Sequence, residues 1–521
     1  MEEKSRRNQI VLAIILATLG IVVPYLIAWR ISPAGTVFGG FLLNPVDGFS
    51  YLAKMRQGYQ GAWLFQLPYA AEPGSGTLLF IFYILLGHLS RLVNLPLIIT
   101  YHLARIVFSV GFFITLYAFF AAVFEETRLK WAGFLFSLFG SGFGWIALPL
   151  FGRQSIDLWV PEAIPFLSAY TNPHFPLAGT AFVGGILLVY IQTRRRWWHW
   201  ALAFVCGFTL AAVLPFATIP LFLVLGVWTL WEVLIRRGWE VPGWFFKEPW
   251  MVIVLGSGAL PWLIYDYWLS VAHPILSQWN AQNLTPSLPL IDTLSGFGLM
   301  AIIALISLGR KPWQGSRSGR LFTVWLLLGF GLLYAPLPFQ RRLSMGLYLP
   351  MTALSAWWLG EKITAPSRCR LAQTAIIIAT LPSIILVIAV GVAGVMRGEQ
   401  AVVLSDSERE AYRWIDANVA PGSLFLANPR SGNRLPAYTQ ARVLYGHPFE
   451  TPRAEYWEAE VQSLLTWDGP AEPGLERLAE LNVYWILLEI EGPAAPLPTW
   501  SEAFPVIAAF DEFRLLERDP R

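Results

Sequence analysis

Four places in the 521-residue chain carry side chains whose types and spacing could do chemistry. The first is residues 44–63, NPVDGFSYLAKMRQGYQGAW, where Asp47 is the first acid after the first hydrophobic run and is followed by Tyr51, Lys54 and Arg56. A carboxylate at the edge of a low-dielectric region holds its proton more tightly than one in water, which suits it to act as a general base. Aspartate is also a favoured helix N-cap, so a purely structural role competes with the catalytic one. Glu72, just before Pro73, is the next acid and could bind a hydroxyl or cap the following helix. The second place is PLPFQRRLSMGLYLP, with Arg341 and Arg342 adjacent. Arginine's planar fork fits bidentate capture of a phosphate, and its long stem equally allows snorkelling to lipid headgroups. The third is His174 in TNPHFPLA, with Asp157 and Glu162 upstream. A lone histidine at such a position is more often structural, and one His with two acids is a thin metal set. A fourth cluster, GHPFETPRAEYW, puts His447, Glu450 and Arg453 close together, but a loop-to-helix junction capped by Thr451 explains most of it without chemistry.

The elements that must position these residues are set by composition. Hydrophobic residues make up 55% of the chain and charged residues 14%, against about 25% charge in a soluble domain. That deficit means a polytopic membrane protein, and the 25 Trp fit a chain that crosses the interface many times. A net charge of +3 gives no support to nucleic-acid binding. Cys206 lies in a hydrophobic run and Cys369 in a basic loop, so neither a disulfide nor a metal cluster is expected of them. Nor is there a G-x-S-x-G, a Walker loop or a dinucleotide-binding glycine pattern. The start, MEEKSRRNQI followed by an apolar run over 10–29, reads as a retained signal anchor.

A spanning helix needs about 20 apolar residues. Candidate spans are 9–29, 101–124, 131–151, 176–192, 199–213, 216–235, 250–270, 289–308, 321–337, 343–360 and 371–394, about eleven in all, with Pro215 breaking the long run 198–235. The segment 77–89 is apolar but short, as for a helix lying in the interface. Counting spans from an inside N-terminus puts Arg128 and Lys130, Arg194 to Arg196, Arg236 with Arg237 and Lys247, Arg310 to Arg320, and Lys362 to Arg370 on the cytoplasmic face. Arg341 and Arg342 are the cluster that defies this bias and so needs a reason. The expected topology is a multi-pass plasma-membrane protein with its N-terminus in the cytoplasm and its C-terminus outside. The expected division is a transmembrane domain over 1–395, with a first outer loop at 30–100, and a soluble extracytoplasmic α/β domain over 400–521. Ser405 to Glu408 reads as a capping box opening a helix; SLFLA, RVLYG and VYWILLE read as short buried strands, and 453–465 as a helix.

The order of these features resembles the GT-C superfamily of integral membrane glycosyltransferases. The resemblance rests on a first span ending just before NPVDGFSYLAKMRQG, the interfacial GTLLFIFYILLGHLSRL leading into YHLARIVFSVGFFITLY, the late FQRRLSMGLYLP and a soluble outer domain. It implies an enzyme that moves a sugar from a polyprenyl-phosphate carrier to an extracytoplasmic glycan, lipid or protein acceptor. Asp47 would then be the catalytic or acceptor-orienting acid, and Arg341 or Arg342 would hold the carrier phosphate. Glu72, Tyr51, Arg56 and His174 are the further candidate substrate contacts. Many members carry two adjacent acids after the first span, whereas here Asp47 is followed by Gly48. That departure favours a mechanism without a metal; the expected reaction is a single inverting displacement that needs no cofactor. A transporter or flippase of a lipid-linked glycan, with an outer partner-binding domain, is the competing reading, although the spans lack the paired charges such a protein wants at mid-depth.

Overall fold

The computed structural model describes residues 2–191, 196–235, 247–490 and 497–518. Arg194, Arg195, Arg236 and Arg237, and the Pro- and Ala-rich residues 492–496, lie outside the described residues. Among those described, seven helices are long and apolar enough to cross a membrane: Arg7–Ile31, Leu97–Val123, Thr127–Phe151, Pro215–Ile235, Glu248–Ala272, Leu290–Leu308 and Pro366–Met396. The four other expected spans fall on His174–Tyr190, Trp197–Val213 and Arg317–Leu333, of 17 residues each, and Tyr348–Lys362, of 15. At about 1.5 Å per residue these are shorter than a hydrocarbon core of about 30 Å. Proline sets two of the breaks. The run at 198–235 divides at the 3-10 turn Pro215–Ala217. The last span divides into Pro366–Thr380 and Pro382–Met396, the second starting on a proline that has no N–H to give.

The backbone contacts divide the chain into two units. One comprises Met1–Leu26, His102–Asp266 and Leu284–Gly391; the other comprises Ile27–Tyr101, Tyr267–Asn283 and Val392–Arg521. In the first unit, aromatic edges fill the centre, with Phe119 against both Phe322 and Trp325. Buried Asp157 organises a loop there: it accepts hydrogen bonds from the backbone N–H groups of Gly142 (3.0 Å) and Gly144 (3.2 Å) and from the Ser155 hydroxyl (2.5 Å).

In the second unit, the helix Pro45–Tyr59 crosses Ile81–Val93 at very short range. Gly58 and Gly87 permit it, because a Cβ on either would collide with the backbone carbonyl of Ile84 or of Met55. Strand β1 (Thr36–Phe38) pairs antiparallel with β2 (Val403–Ser405). A five-stranded sheet follows, built from β3 (Leu424–Ala427), β4 (Arg442–Val443), β5 (Trp485–Glu489), β6 (Val506–Ala509) and β7 (Phe513–Glu517), in the order β4-β3-β5-β7-β6. β3 is parallel to β4 and β5, while β7 runs antiparallel to β5 and β6. The helix Asp406–Asn418 starts as expected, with the Ser405 hydroxyl accepting from the Glu408 N–H at 3.1 Å. The return half of a capping box is replaced. The Glu408 carboxylate is taken by Arg434 (2.8 Å) and the Tyr412 hydroxyl (2.7 Å), which are buried with it.

Candidate active site

Asp47 stands in the first turn of the helix Pro45–Tyr59, where a carboxylate is favoured by the helix dipole. It is not the N-cap; that position is Asn44, in the left-handed region at φ 51°. Asn433 fixes the entry to the helix by donating from its side-chain amide to the Val46 carbonyl at 3.2 Å. Gly48 faces the ring of Phe41, and a Cβ there would overlap it. A second acid therefore has no room beside Asp47.

The partners of this helix come from the GHPFE segment nearly four hundred residues later. His447 Nε2 lies 3.2 Å from Asp47 Oδ1. One and two turns further along, Ser50 and Lys54 both donate to Glu450 Oε1, at 2.9 Å and 2.6 Å, and Lys54 also donates to the Ser50 hydroxyl at 3.0 Å. Lys54 is fully buried and Glu450 nearly so. Aromatic faces surround the ammonium, with the Phe80 ring centre at 4.1 Å and that of Tyr51 at 4.8 Å. Burial pushes the Lys54 ammonium down from its ordinary value, and Glu450 works against that shift. Burial acts to raise the Glu450 carboxyl, but the Lys54 charge, the electrostatic influence of His447 and the hydrogen bonds from Lys54 and Ser50 override it and hold the group below its ordinary value. Glu450 is thus a carboxylate at neutral pH, and the pair locks the helix to the loop.

The reading of GHPFETPRAEYW as a junction capped by Thr451 is corrected here. The helix Ala454–Leu465 has Arg453 as its N-cap residue, with no side-chain cap. The Thr451 hydroxyl instead accepts from the backbone N–H of His447 at 3.2 Å and closes the loop that presents His447 and Glu450. The sequence shows the groups of this site but not that they pair. Asp47, Ser50 and Lys54 lie on one helical face, and His447 and Glu450 carry complementary groups in the matching order.

The other candidates are dispersed. Tyr51 stacks on Tyr83, with ring centres 4.3 Å apart and planes at 10°, and helps enclose Lys54. Arg56 pairs with Asp416 in the helix Asp406–Asn418. Glu72 is exposed and lines an open cavity of about 1040 Å³ with Arg442, Arg453, Trp457 and Glu480. In the first unit, His174 is buried at the start of His174–Tyr190, its ring 4.0 Å from that of Phe175. Arg341 and Arg342 sit on the 3-10 turn Gln340–Ser344. Their guanidinium groups lie over Trp159 (4.4 Å) and Phe216 (4.9 Å). Arg153 is matched by a two-pronged ion pair to Asp292 at 2.6 and 2.8 Å. Among the described residues, no three His, Cys, Asp or Glu side chains converge as a metal set.

Solved structures share this architecture. The Archaeoglobus fulgidus oligosaccharyltransferase in complex with Zn and sulfate aligns with a TM-score of 0.55 at 14% identity, over 92% of this chain and 68% of that one. The same archaeal enzyme, AglB, with an inhibitory peptide and a dolichol-phosphate, aligns at 0.54 and 12% identity, over 93% and 70%. The arabinofuranosyltransferase AftD from Mycobacteria aligns at 0.54 and 13% identity, over 99% of this chain but 40% of its own. No family model and no curated protein matches the chain. The fold is that of the GT-C membrane glycosyltransferases: mostly helical, with a small C-terminal sheet.

Proposed function

We propose that the protein is a membrane glycosyltransferase that moves a sugar from a polyprenyl-phosphate carrier to a hydroxyl of an extracytoplasmic glycan, lipid or protein acceptor. The observation that carries this reading is Asp47, held by His447 at 3.2 Å in the first turn of a helix whose buried face is locked by Lys54 and Glu450. The likeness to an archaeal enzyme solved with a dolichol-phosphate supports a lipid-linked donor. Asp47 removes the proton from the acceptor hydroxyl. The hydroxyl oxygen attacks the anomeric carbon in a single inverting displacement, and the carrier leaves as its phosphate. The chain supplies its own cation beside the second carboxylate, Lys54 against Glu450, which supports chemistry without a metal.

The carrier phosphate is assigned to Arg341 or Arg342. Arg341→Ala or Arg342→Ala is expected to weaken binding of a polyprenyl phosphate at least tenfold. Arg→Lys at the same position restores it only in part, since an ammonium cannot make the two-pronged contact. Titration of the purified variants with undecaprenyl phosphate reads this directly. Unchanged affinity in both single variants and in the double variant would reject the assignment.

A further inference from the structure

Building on the reading of Asp47 as the base, we propose that His447 is the positioning residue that aims it, held for that task as the Nε2–H tautomer by its own loop. The ring is buried. Its Nδ1 accepts the backbone N–H of Phe449 at 3.1 Å and of Glu450 at 3.2 Å. Two donors pointing at Nδ1 occupy its lone pair and leave the ring hydrogen on Nε2, the atom 3.2 Å from Asp47 Oδ1. The imidazole therefore donates to the carboxylate, fixing its plane, and does not compete with it for the acceptor's proton.

Every side of the loop is held. The Thr451 N–H donates to the His447 carbonyl at 3.0 Å, and the Thr451 hydroxyl receives the His447 N–H. Gln282 clamps the far end, donating to the Thr451 carbonyl at 2.5 Å and accepting from the Arg453 N–H at 2.7 Å. Glu450 anchors the middle to Lys54 and Ser50. Tyr69 lies beside the imidazole, with ring centres 5.9 Å apart. Its own hydroxyl is fixed on the Asn433 carbonyl at 3.0 Å. The ring thus has one orientation, and Asp47 inherits it.

Two substitutions separate the functions of the two ring nitrogens. In His447→Asn the side-chain oxygen sits near the place of Nδ1 and keeps the loop capped, but the shorter side chain no longer reaches Asp47. In His447→Gln the side-chain amide N–H extends to the place of Nε2. With full-length protein and a panel of polyprenyl-phosphate pentoses and hexoses, His447→Asn is expected to lower kcat about 10- to 100-fold with the donor KM unchanged, the scale of misplacing a catalytic group by about 1 Å. His447→Gln is expected to recover most of it. The 15N spectrum of histidine-labelled protein, assigned by the signal missing in His447→Gln, is expected to show a bare Nδ1 and a protonated Nε2. Protonation at Nδ1, or His447→Gln no faster than His447→Asn, would overturn the proposal. If Asp47→Asn is inactive while His447→Asn matches wild type, only the positioning role falls. If Asp47→Asn matches wild type, the base reading falls and the positioning role with it.

Discussion

Asp47→Asn is expected to cut turnover by about 10²- to 10⁴-fold, the range a positioned general base contributes, while carrier binding changes little. The substitution keeps the size of the side chain and its oxygen toward His447, so the 3.2 Å contact survives and only the proton-accepting charge is lost. Asp47→Glu retains part of the activity if the space beside Gly48 and Phe41 tolerates a longer side chain. Glu72→Gln is the internal control, because Glu72 belongs to the same unit but lines the open cavity with Arg442 and Glu480. Steady-state kinetics on the three variants check this. Wild-type turnover in Asp47→Asn, with an inactive Glu72→Gln, would mean that the wrong acid has been chosen.

Glu450→Ala is expected to destabilise the protein by about 3–5 kcal/mol, because it strands Lys54 in an aromatic enclosure without its counter-charge. Glu450→Leu combined with Lys54→Met is expected to regain most of that loss, since a buried ion pair replaced by apolar groups of similar volume is often neutral. Thermal unfolding of the purified variants followed by tryptophan fluorescence checks both. The sign of the pH effect follows from Glu450 being held, against burial, below its ordinary value by Lys54. Its contribution is full above the ordinary carboxylate value and is lost as pH falls through the lower, folded value. Wild type therefore loses stability over that acid window more steeply than Glu450→Gln. A double variant no more stable than Glu450→Ala would show that the pair does more than satisfy itself.

Much of the architecture was legible because it is local. Apolar runs gave the helices, Pro215 gave a break, and SLFLA, RVLYG and VYWILLE gave β3, β4 and β5. Asp47 stood out because its position after the first hydrophobic run is a local property too. The partners of Asp47 and Lys54 were not legible. Pairing residue 47 with 447 and 54 with 450 is a tertiary event, and no periodicity in one sequence encodes it. The competing local explanation of GHPFET, a capped junction, was physically reasonable; the Thr451 hydroxyl turned back to His447 instead of forward to the next helix. Glu408 likewise left its expected place on the cap for Arg434, a residue that only folding brings near. Short helices such as Tyr348–Lys362 were hard to size because hydropathy marks apolar runs, not where the hydrogen-bonded turns stop.

The most direct test of lipid-linked glycosyl transfer is to reconstitute the purified chain in vesicles carrying polyprenyl-phosphate pentoses and hexoses, add candidate acceptors outside, and measure release of polyprenyl phosphate. Acceptor-dependent release from at least one donor, abolished in Asp47→Asn, is the predicted result. Donors that cross the vesicle membrane intact with no release, or release that is the same in Asp47→Asn, would contradict it.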